Sequence, residues 1–423
     1  MLKTFNFEKL PIVEIVNEII IDATKNRASD IHLDPFNDTL KIRIRIDGTL
    51  IDYCSVPNEY KKNLITRIKI IAGMNITENR LPQDGAIKTS LNGIPLDMRV
   101  SSLPTNNGEK IVIRILDYSM SIQGLEQLGF TKDNFEKIMK MINLPNGIIL
   151  VTGATGTGKS TTVYSILQRL NREEANVITV EDPVEMDIPG VNQVQVNSEI
   201  GLTFANVLRS ILRQDPDIIM IGEIRDDETA TIAVRASVTG HLVLSTIHTN
   251  NSLNTIERLL DMDVERYLLA ASLSGIISQK LAKKLCPHCR KKVTATPYEK
   301  YLFKKNLGVD INEIYVAGDG CDNCMNGYRG RIAIHEVLLI DENIRDAISN
   351  SVKKEDLREL VYSENVHTLL QDGLIKVAQG LTTFEEIIKL IELDIEDIVI
   401  PKGENAENNN EQNDNIEQKQ NIS

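Results

Sequence analysis

Apolar positions along the chain change period several times, and each change marks an element. Over 11–28, Ile12, Val16, Ile19, Ile20 and Ala23 recur at three- and four-residue intervals, the spacing of one buried helix face. In 40–46 the period drops to two. Leu40, Ile42, Ile44 and Ile46 alternate with Lys41, Arg43 and Arg45, which predicts a strand buried on one face. Asp47-Gly48 then predicts a tight hairpin turn with 49–53 as the returning strand. Helical spacing returns over 61–74, and strand-like runs follow at 96–100 and 111–116. Residues 1–118 therefore read as one α+β domain. The stretch 119–145, with Gly124, Gly129 and an amphipathic segment at 135–142, reads as a linker.

Beyond the linker, short apolar strands alternate with helices. Strands are predicted at 148–151, 177–180, 218–221 and 242–247, and helices at 159–170, 203–213 and 226–238. This alternation predicts an α/β domain over 146–280, with a mainly parallel sheet covered by helices on both faces. Two CxxC pairs mark a region at 281–335, and 336–400 reads as helical. The final segment, 401–423, is rich in Asn and acids. It holds too few apolar residues to offset the entropy of ordering and is expected to be disordered.

Composition narrows the class. Of 423 residues, 42% are hydrophobic and 25% charged, as in soluble globular chains that bury a sizeable core. The net charge of −13 argues against a binder that covers nucleic acid with its whole surface. No apolar run reaches the length of a membrane span. The first residues alternate apolar and charged positions without a small-residue cleavage site, so no signal peptide is expected. Five cysteines are too few for a disulfide scaffold. Four of them fall in CxxC pairs, which in a reducing compartment reads as metal. A cytoplasmic protein is the expectation.

The sharpest local signal runs Gly153-Ala154-Thr155-Gly156-Thr157-Gly158-Lys159-Ser160, followed by Thr161, between an apolar strand and a helix. Its glycines let backbone N–H groups turn inward around phosphate oxygens, and the helix N-terminus adds a favourable dipole. Lys159 is placed to reach the β- and γ-phosphates of ATP and the Ser160 hydroxyl to hold Mg²⁺. An acid near the attacking water is also needed. The strand from Asp217 ends in Glu223, with Gly222 where an aspartate often stands. Glu223 reads either as a surface carboxylate or as the group that polarises the water. Glu181, Asp182 and Glu185 follow a second strand of the same sheet, whose carboxyl ends share one crevice. His248 follows a third strand and is a candidate γ-phosphate contact, while His241 precedes that strand.

Cys286, Cys289, Cys321 and Cys324 fit a closed tetrahedral zinc site, with redox chemistry as the rival reading. Cys54 stands apart and reads as a small core residue. Around the pairs, Lys280, Lys283, Lys284, Arg290, Lys291 and Lys292 form a basic run. It reads as a solvated face or as a dock for an acidic protein or anionic lipid.

Together these segments resemble a known family. The stretch LRQDPDIIMIGEIRD at 212–226 matches the signature of the type II secretion and type IV pilus assembly ATPases. EDPVE at 181–185 and TGHLVLSTIHTN at 239–250 match their acidic and histidine boxes. ASDIHLDP at 28–35, RIKIIAGMNITENRLPQDG at 67–85 and DMRVSSLPTNNGEKIVIRIL at 97–116 extend the match into the amino-terminal domain. The resemblance implies a RecA-like P-loop NTPase domain preceded by a smaller, PAS-like α+β domain, with a tetracysteine zinc insertion and a helical carboxyl-terminal region.

The same resemblance implies a ring of six subunits, with ATP between the two domains of each chain. Glu223 would be the catalytic base, Glu181, Asp182 and Glu185 acids of the site, and Arg99 and Arg114 arginines that approach the phosphates. It also implies a membrane platform protein as partner and a location at the inner face of the cytoplasmic membrane. Only 27 residues precede ASDIHLDP, so the expected member is a short form without an extra amino-terminal domain. The four cysteines favour an assembly motor over a retraction motor. A DNA-stimulated RecA-type motor, a competence-pilus ATPase for DNA uptake and a ring that binds ATP without turning it over are the alternatives. The acidic charge and the absence of Trp disfavour stable nucleic-acid binding.

Overall fold

The computed structural model describes residues 3–91, 94–116, 124–363 and 366–392. The tail expected to be disordered, 401–423, lies outside the described residues.

The amino-terminal unit begins with α1 (Ile12–Lys25), β1 (Ala28–Pro35), β2 (Thr39–Ile46), β3 (Thr49–Pro57) and α2 (Asn58–Ile71). It ends with β4 (Gln83–Leu91), β5 (Ile94–Thr105) and β6 (Gly108–Leu116). The strands form one antiparallel sheet in the order β3-β2-β1-β6-β5-β4. β2 shows why the sheet has two unlike faces. Leu40, Ile42, Ile44 and Ile46 enter a core shared with the apolar sides of α1 and α2, while Lys41, Arg43 and Arg45 stay on the opposite face. On that charged face the register sets Arg45, Asp30, Arg114 and Arg99 side by side across β2, β1, β6 and β5. Cys54 is buried in the core, and burial pushes its thiol up to about 12.

The second unit contains α3 (Lys132–Ile142), β7 (Gly147–Thr152), α4 (Lys159–Leu170), β8 (Val177–Glu181), β9 (Asn192–Gln195) and α5 (Phe204–Ile211). It continues through β10 (Ile218–Ile221), α6 (Asp227–Val238), β11 (Leu242–Ile247), α7 (Ser252–Asp261) and α8 (Arg266–Ser272) to β12 (Leu273–Leu285). From residue 124, the stretch that reads as a linker packs into this unit. Leu125, Ile138 and Met141 share a core with Val163 and Ile277.

The sheet runs β15-β12-β7-β11-β10-β8-β9, where β15 (Tyr328–Leu339) begins just after the second CxxC pair. All neighbouring pairs are parallel except β12 with β15. β7, β10 and β11 are buried along their whole length, as strands covered on both faces must be. β11 lies between β7 and β10, so the loop after β7 and the acid after β10 are held one strand apart.

Between β12 and β15 the chain forms β13 (Lys291–Thr294), α9 (Pro297–Leu307) and β14 (Glu313–Val316), with β13 and β14 paired antiparallel. Thr296 caps α9 in a reciprocal capping box with Glu299, and Pro297 opens the first turn. The remaining helices are α10 (Glu342–Ser349), α11 (Lys354–Val361), α12 (Leu369–Ala378) and α13 (Phe384–Glu392). Phe303 of α9 packs with Ile314, Leu374 and Ile387, which ties the insertion to α12 and α13.

Candidate nucleotide site and cysteine cluster

The glycine-rich loop joins the carboxyl end of β7 to α4. Gly153 has φ of 152°, and a Cβ there would stand 2.6 Å from both the Gln279 carbonyl and the Thr157 hydroxyl, so only glycine fits. Gly158 caps α4 in the left-handed region. Lys159 lies in the first turn, and its Nζ donates to the carbonyls of Gly153 at 2.8 Å and Ala154 at 3.2 Å. Burial pulls this ammonium below the ordinary lysine value, against the attraction of Glu223. Ala154, Thr155, Gly156, Ser160 and Thr161 are exposed along the loop and the start of α4.

One residue that fixes this loop carries no sequence signal. Gln279 of β12 is buried, donates from Nε2 to the Thr157 carbonyl at 2.7 Å and accepts the Thr162 hydroxyl at 2.8 Å. It clamps the loop to the helix that follows. Only its place on a strand beside β7 reveals it, and β12 itself was not predicted.

Glu223 follows β10. Its carboxylate pairs with Arg225 through Oε1 and lies 3.0 Å from His248 Nε2 through Oε2. Burial alone would raise its pKa, but the Arg225 guanidinium and His248 hold it below the usual glutamate value. Arg225 also lies 3.5 Å from Asp182, so Asp182, Glu223 and His248 converge at one end of the sheet. Hydrogen bonds from Ser245 and Thr246 to the carbonyls of Ile221 and Gly222 fasten β11 to the end of β10.

Glu181 departs from the expectation of an acid in this crevice. It is buried, and its oxygens accept from the Tyr164 hydroxyl, from Thr179 at 2.6 Å and from Gln193 at 3.1 Å. The side chain points into the layer between α4 and β9, where these donors consume its acceptors. His241 also lies elsewhere. It sits at the amino end of β11, at the opposite edge of the sheet from the loop, with Nδ1 2.8 Å from the Ala236 carbonyl.

The two arginines of the amino-terminal unit are cross-strand neighbours with different surroundings. Arg99 donates to the Val184 carbonyl at 3.1 Å and lies 3.5 Å from Glu185, reaching the acidic turn after β8. Arg114 pairs with Asp30 at 3.3 Å inside its own sheet, and no contact from it to the second unit occurs among the described residues.

The basic run near the cysteines is not a continuous patch. Lys291 pairs with Asp319 at 2.6 Å and Lys292 with Glu313 at 2.5 Å. Arg290 donates to the Gly380 carbonyl and stacks over Tyr315, and Lys280 donates to the Leu390 carbonyl at 2.9 Å. Lys284 is exposed at the end of β12.

Cys286, Cys289, Cys321 and Cys324 converge, with all four sulfurs within 4.8 Å of one another. The separations are 3.8 Å for Cys286–Cys321, 3.5 Å for Cys289–Cys324 and 3.6 Å for Cys321–Cys324. Four thiolates each about 2.3 Å from one zinc ion stand about 3.8 Å apart, so the cluster fits tetrahedral zinc closely. A backbone hydrogen bond from Cys286 to Gly327 of 2.9 Å brings the two pairs together.

A glycine loop at the end of a parallel strand, a lysine in the first turn of the next helix and an acid one strand away define a P-loop nucleotide hydrolase. The chain belongs to the family described as type II/IV secretion system protein, whose model matches residues 6–389, and it is an ATPase. It is 44% identical over 381 residues to the type II secretion system protein E of Dickeya dadantii, covering 90% of this chain and 76% of that protein. It is 45% identical over 380 residues to the type IV pilus assembly ATPase PilB of Thermus thermophilus, covering 89% of this chain and 42% of that protein. Among solved structures, the pilus retraction motor PilT with bound ADP aligns with a TM-score of 0.60 at 28% identity, over 88% of this chain and 96% of that one. The Legionella pneumophila ATPase DotB shares the fold at a TM-score of 0.68 and 22% identity, over 93% of this chain and 99% of that one. Among the described residues no helix is long and apolar enough to cross a membrane.

Proposed function

We propose that the chain is the motor ATPase of a type II secretion or type IV pilus assembly system. It works as a ring of six at the inner face of the cytoplasmic membrane and drives a membrane platform protein that adds subunits to a filament. The observation that carries the motor reading is the contact of Arg99 with the 184–185 turn. It ties the amino-terminal unit to the acidic rim of the nucleotide crevice, so opening and closing of the two units is coupled to what the crevice holds.

Each residue has a defined part in hydrolysis. Backbone N–H groups of Gly153–Gly158 and the Lys159 ammonium cradle the β- and γ-phosphates. The Ser160 hydroxyl would hold Mg²⁺, which would neutralise phosphate charge when bound. Glu223, kept ionised by Arg225 and His248, orients the attacking water and accepts its proton, while His248 faces the γ-phosphate. Glu181 is a positioning residue that locks α4 to β8 and β9 through Tyr164 and Gln193. Arg99, with Arg114 beside it, brings positive charge to the phosphoryl group in transfer. The four cysteines hold a structural zinc ion that closes the insertion between β12 and β15.

Steady-state ATPase assays on size-fractionated protein test this reading. Activity should reside in a six-subunit fraction and be lost in Glu223→Gln and Arg99→Ala. Activity in a monomer fraction that is insensitive to Arg99→Ala, or that rises with added DNA, rejects it.

A further inference from the structure

A row of polar side chains crosses the sheet of the ATPase unit beneath α7. The register sets Glu336 of β15 beside Ser278 of β12, and Ser278 beside Thr152 at the carboxyl end of β7. All three are buried. A carboxyl group is costly to bury unless hydrogen bonds offset its loss of water. Glu336 takes no part in the hydrolytic reading above.

One hydrogen bond of this group leads to the turn between β11 and α7. Oε1 of Glu336 accepts the Ser252 backbone N–H at 2.9 Å. Ser252 opens α7, and the first amides of a helix have no acceptor within the helix itself. The Ser252 hydroxyl lies 3.3 Å from that of Ser278. Asn251 caps the same helix by accepting the Asn254 amide at 2.8 Å. The near end of the turn is tied to β7. The Thr249 amide donates to the Thr152 hydroxyl at 3.1 Å, and that hydroxyl donates to the Thr249 carbonyl at 2.7 Å.

His248 is the first residue of this turn. Its side chain is half exposed, with Nε2 3.0 Å from Glu223. A side chain with so little packing around it is aimed by the backbone that carries it. Thr152 alone would let the turn pivot about Thr249, whereas a second anchor at Ser252 stops the pivot. We propose that Glu336 is a positioning residue: by holding the Ser252 amide it fixes the 248–252 turn and keeps His248 on Glu223. The consequence for turnover rests on the reading of His248 and Glu223 given above, whereas the placement of His248 does not.

Three variants of the full chain test this. Glu336→Gln keeps an accepting oxygen, and Glu336→Leu removes it. Ser252→Pro removes the donor instead. Proline is tolerated at the first helical position, and Asn251 before it is already extended, with φ of −156° and ψ of 175°. In protein with ¹³C-labelled histidine, the His248 resonance among the six is assigned by its loss in His248→Ala. It should move in Glu336→Leu and Ser252→Pro and stay in place in Glu336→Gln. In the first two, kcat should fall about ten- to hundredfold with KM for ATP little changed, the effect of a misplaced group near the reacting atoms. The acid limb of kcat/KM should move to higher pH, because Glu223 loses one of the groups that hold its pKa down. Adding Glu336→Leu to His248→Ala should cost nothing further, since both act through one group. A His248 resonance that stays in place in Glu336→Leu and Ser252→Pro overturns the inference. So does an equal loss of turnover in Glu336→Gln, or a further loss when Glu336→Leu joins His248→Ala. If Glu336→Leu does not fold, Ser252→Pro carries the same test. If the resonance moves while kcat and the pH profile stay unchanged in every variant, His248→Ala included, the positioning stands and the reading of His248 in hydrolysis fails.

Discussion

Gln279 shows how much of the site depends on residues that bear no motif. Its amide spans from the Thr157 carbonyl to the Thr162 hydroxyl in a buried setting, so Gln279→Leu leaves two polar groups without a partner. That loss costs about 1–3 kcal/mol, or roughly one to two decades of ATP affinity. It should appear as a raised KM with a smaller change in kcat, because Gln279 shapes the loop and touches no reacting atom. The loop itself was legible because its glycines, lysine and serine are contiguous. Gln279 was not, because it lies 122 residues from Thr157 in sequence.

Glu223 yields a prediction in pH. Its carboxyl stays below the usual glutamate value because Arg225 and His248 outweigh burial. The working carboxylate therefore persists as pH falls and is lost only on passing that lowered value. Arg225→Met removes a counter-charge and leaves burial to raise the pKa, so the acid limb of the kcat/KM profile should move to higher pH.

At the scale of elements, the predicted strands of the second sheet were those with uninterrupted apolar runs, such as β7, β10 and β11. β12 escaped notice because its second half mixes Lys280, Lys283 and Lys284 with apolar residues. β15 escaped because the partner that makes it a strand lies across the whole cysteine insertion. Where β15 meets α12, Asp372 and Lys376 form an ion pair buried one helical turn apart, and Asp372 also accepts the His335 amide at 2.8 Å. Lys376→Met leaves a carboxylate buried without its cation and should destabilise the chain by about 3–5 kcal/mol, whereas replacing both with leucine should cost much less. Calorimetric melting temperatures of the two variants would separate these outcomes.

The cysteine cluster belongs to the same scale. Its spacing in sequence singled out the four cysteines that converge, but not the intervening β13, α9 and β14. Their order depends on Phe303 and Ile314 packing against α12 and α13. Metal analysis of purified protein should find one zinc ion per chain, lost in Cys321→Ser. That variant should also become sensitive to proteolysis between residues 290 and 320 while the phosphate loop still binds nucleotide, because the loop is braced by Gln279 rather than by the metal.

For the molecule as a whole, the question is how two units separated in sequence act as one machine. The amino-terminal unit meets the ATPase unit through Asp47 at Gly330 and through Arg99 at the 184–185 turn. Neither contact was readable from local pattern, because each joins residues whose proximity depends on the packing of two finished units. Arg99 and Arg114 are direct cross-strand neighbours on the charged face, yet only Arg99 reaches across, while Arg114 is held by Asp30. A rigid sheet moves both together. If turnover requires the unit to close further over the phosphates, Arg114 must leave Asp30 and join Arg99 at the developing charge, where loss of one such donor costs a hundredfold or more, roughly, in kcat. Arg114→Ala should then impair kcat about as severely as Arg99→Ala, with little change in nucleotide affinity, and Asp30→Asn should partly raise the activity by releasing Arg114 sooner. If instead Arg99→Ala alone is crippling and Arg114→Ala is nearly silent, the arrangement seen here is already the working one. In the proposed ring, the stroke would then come from relative motion between neighbouring subunits rather than between the two units of one chain.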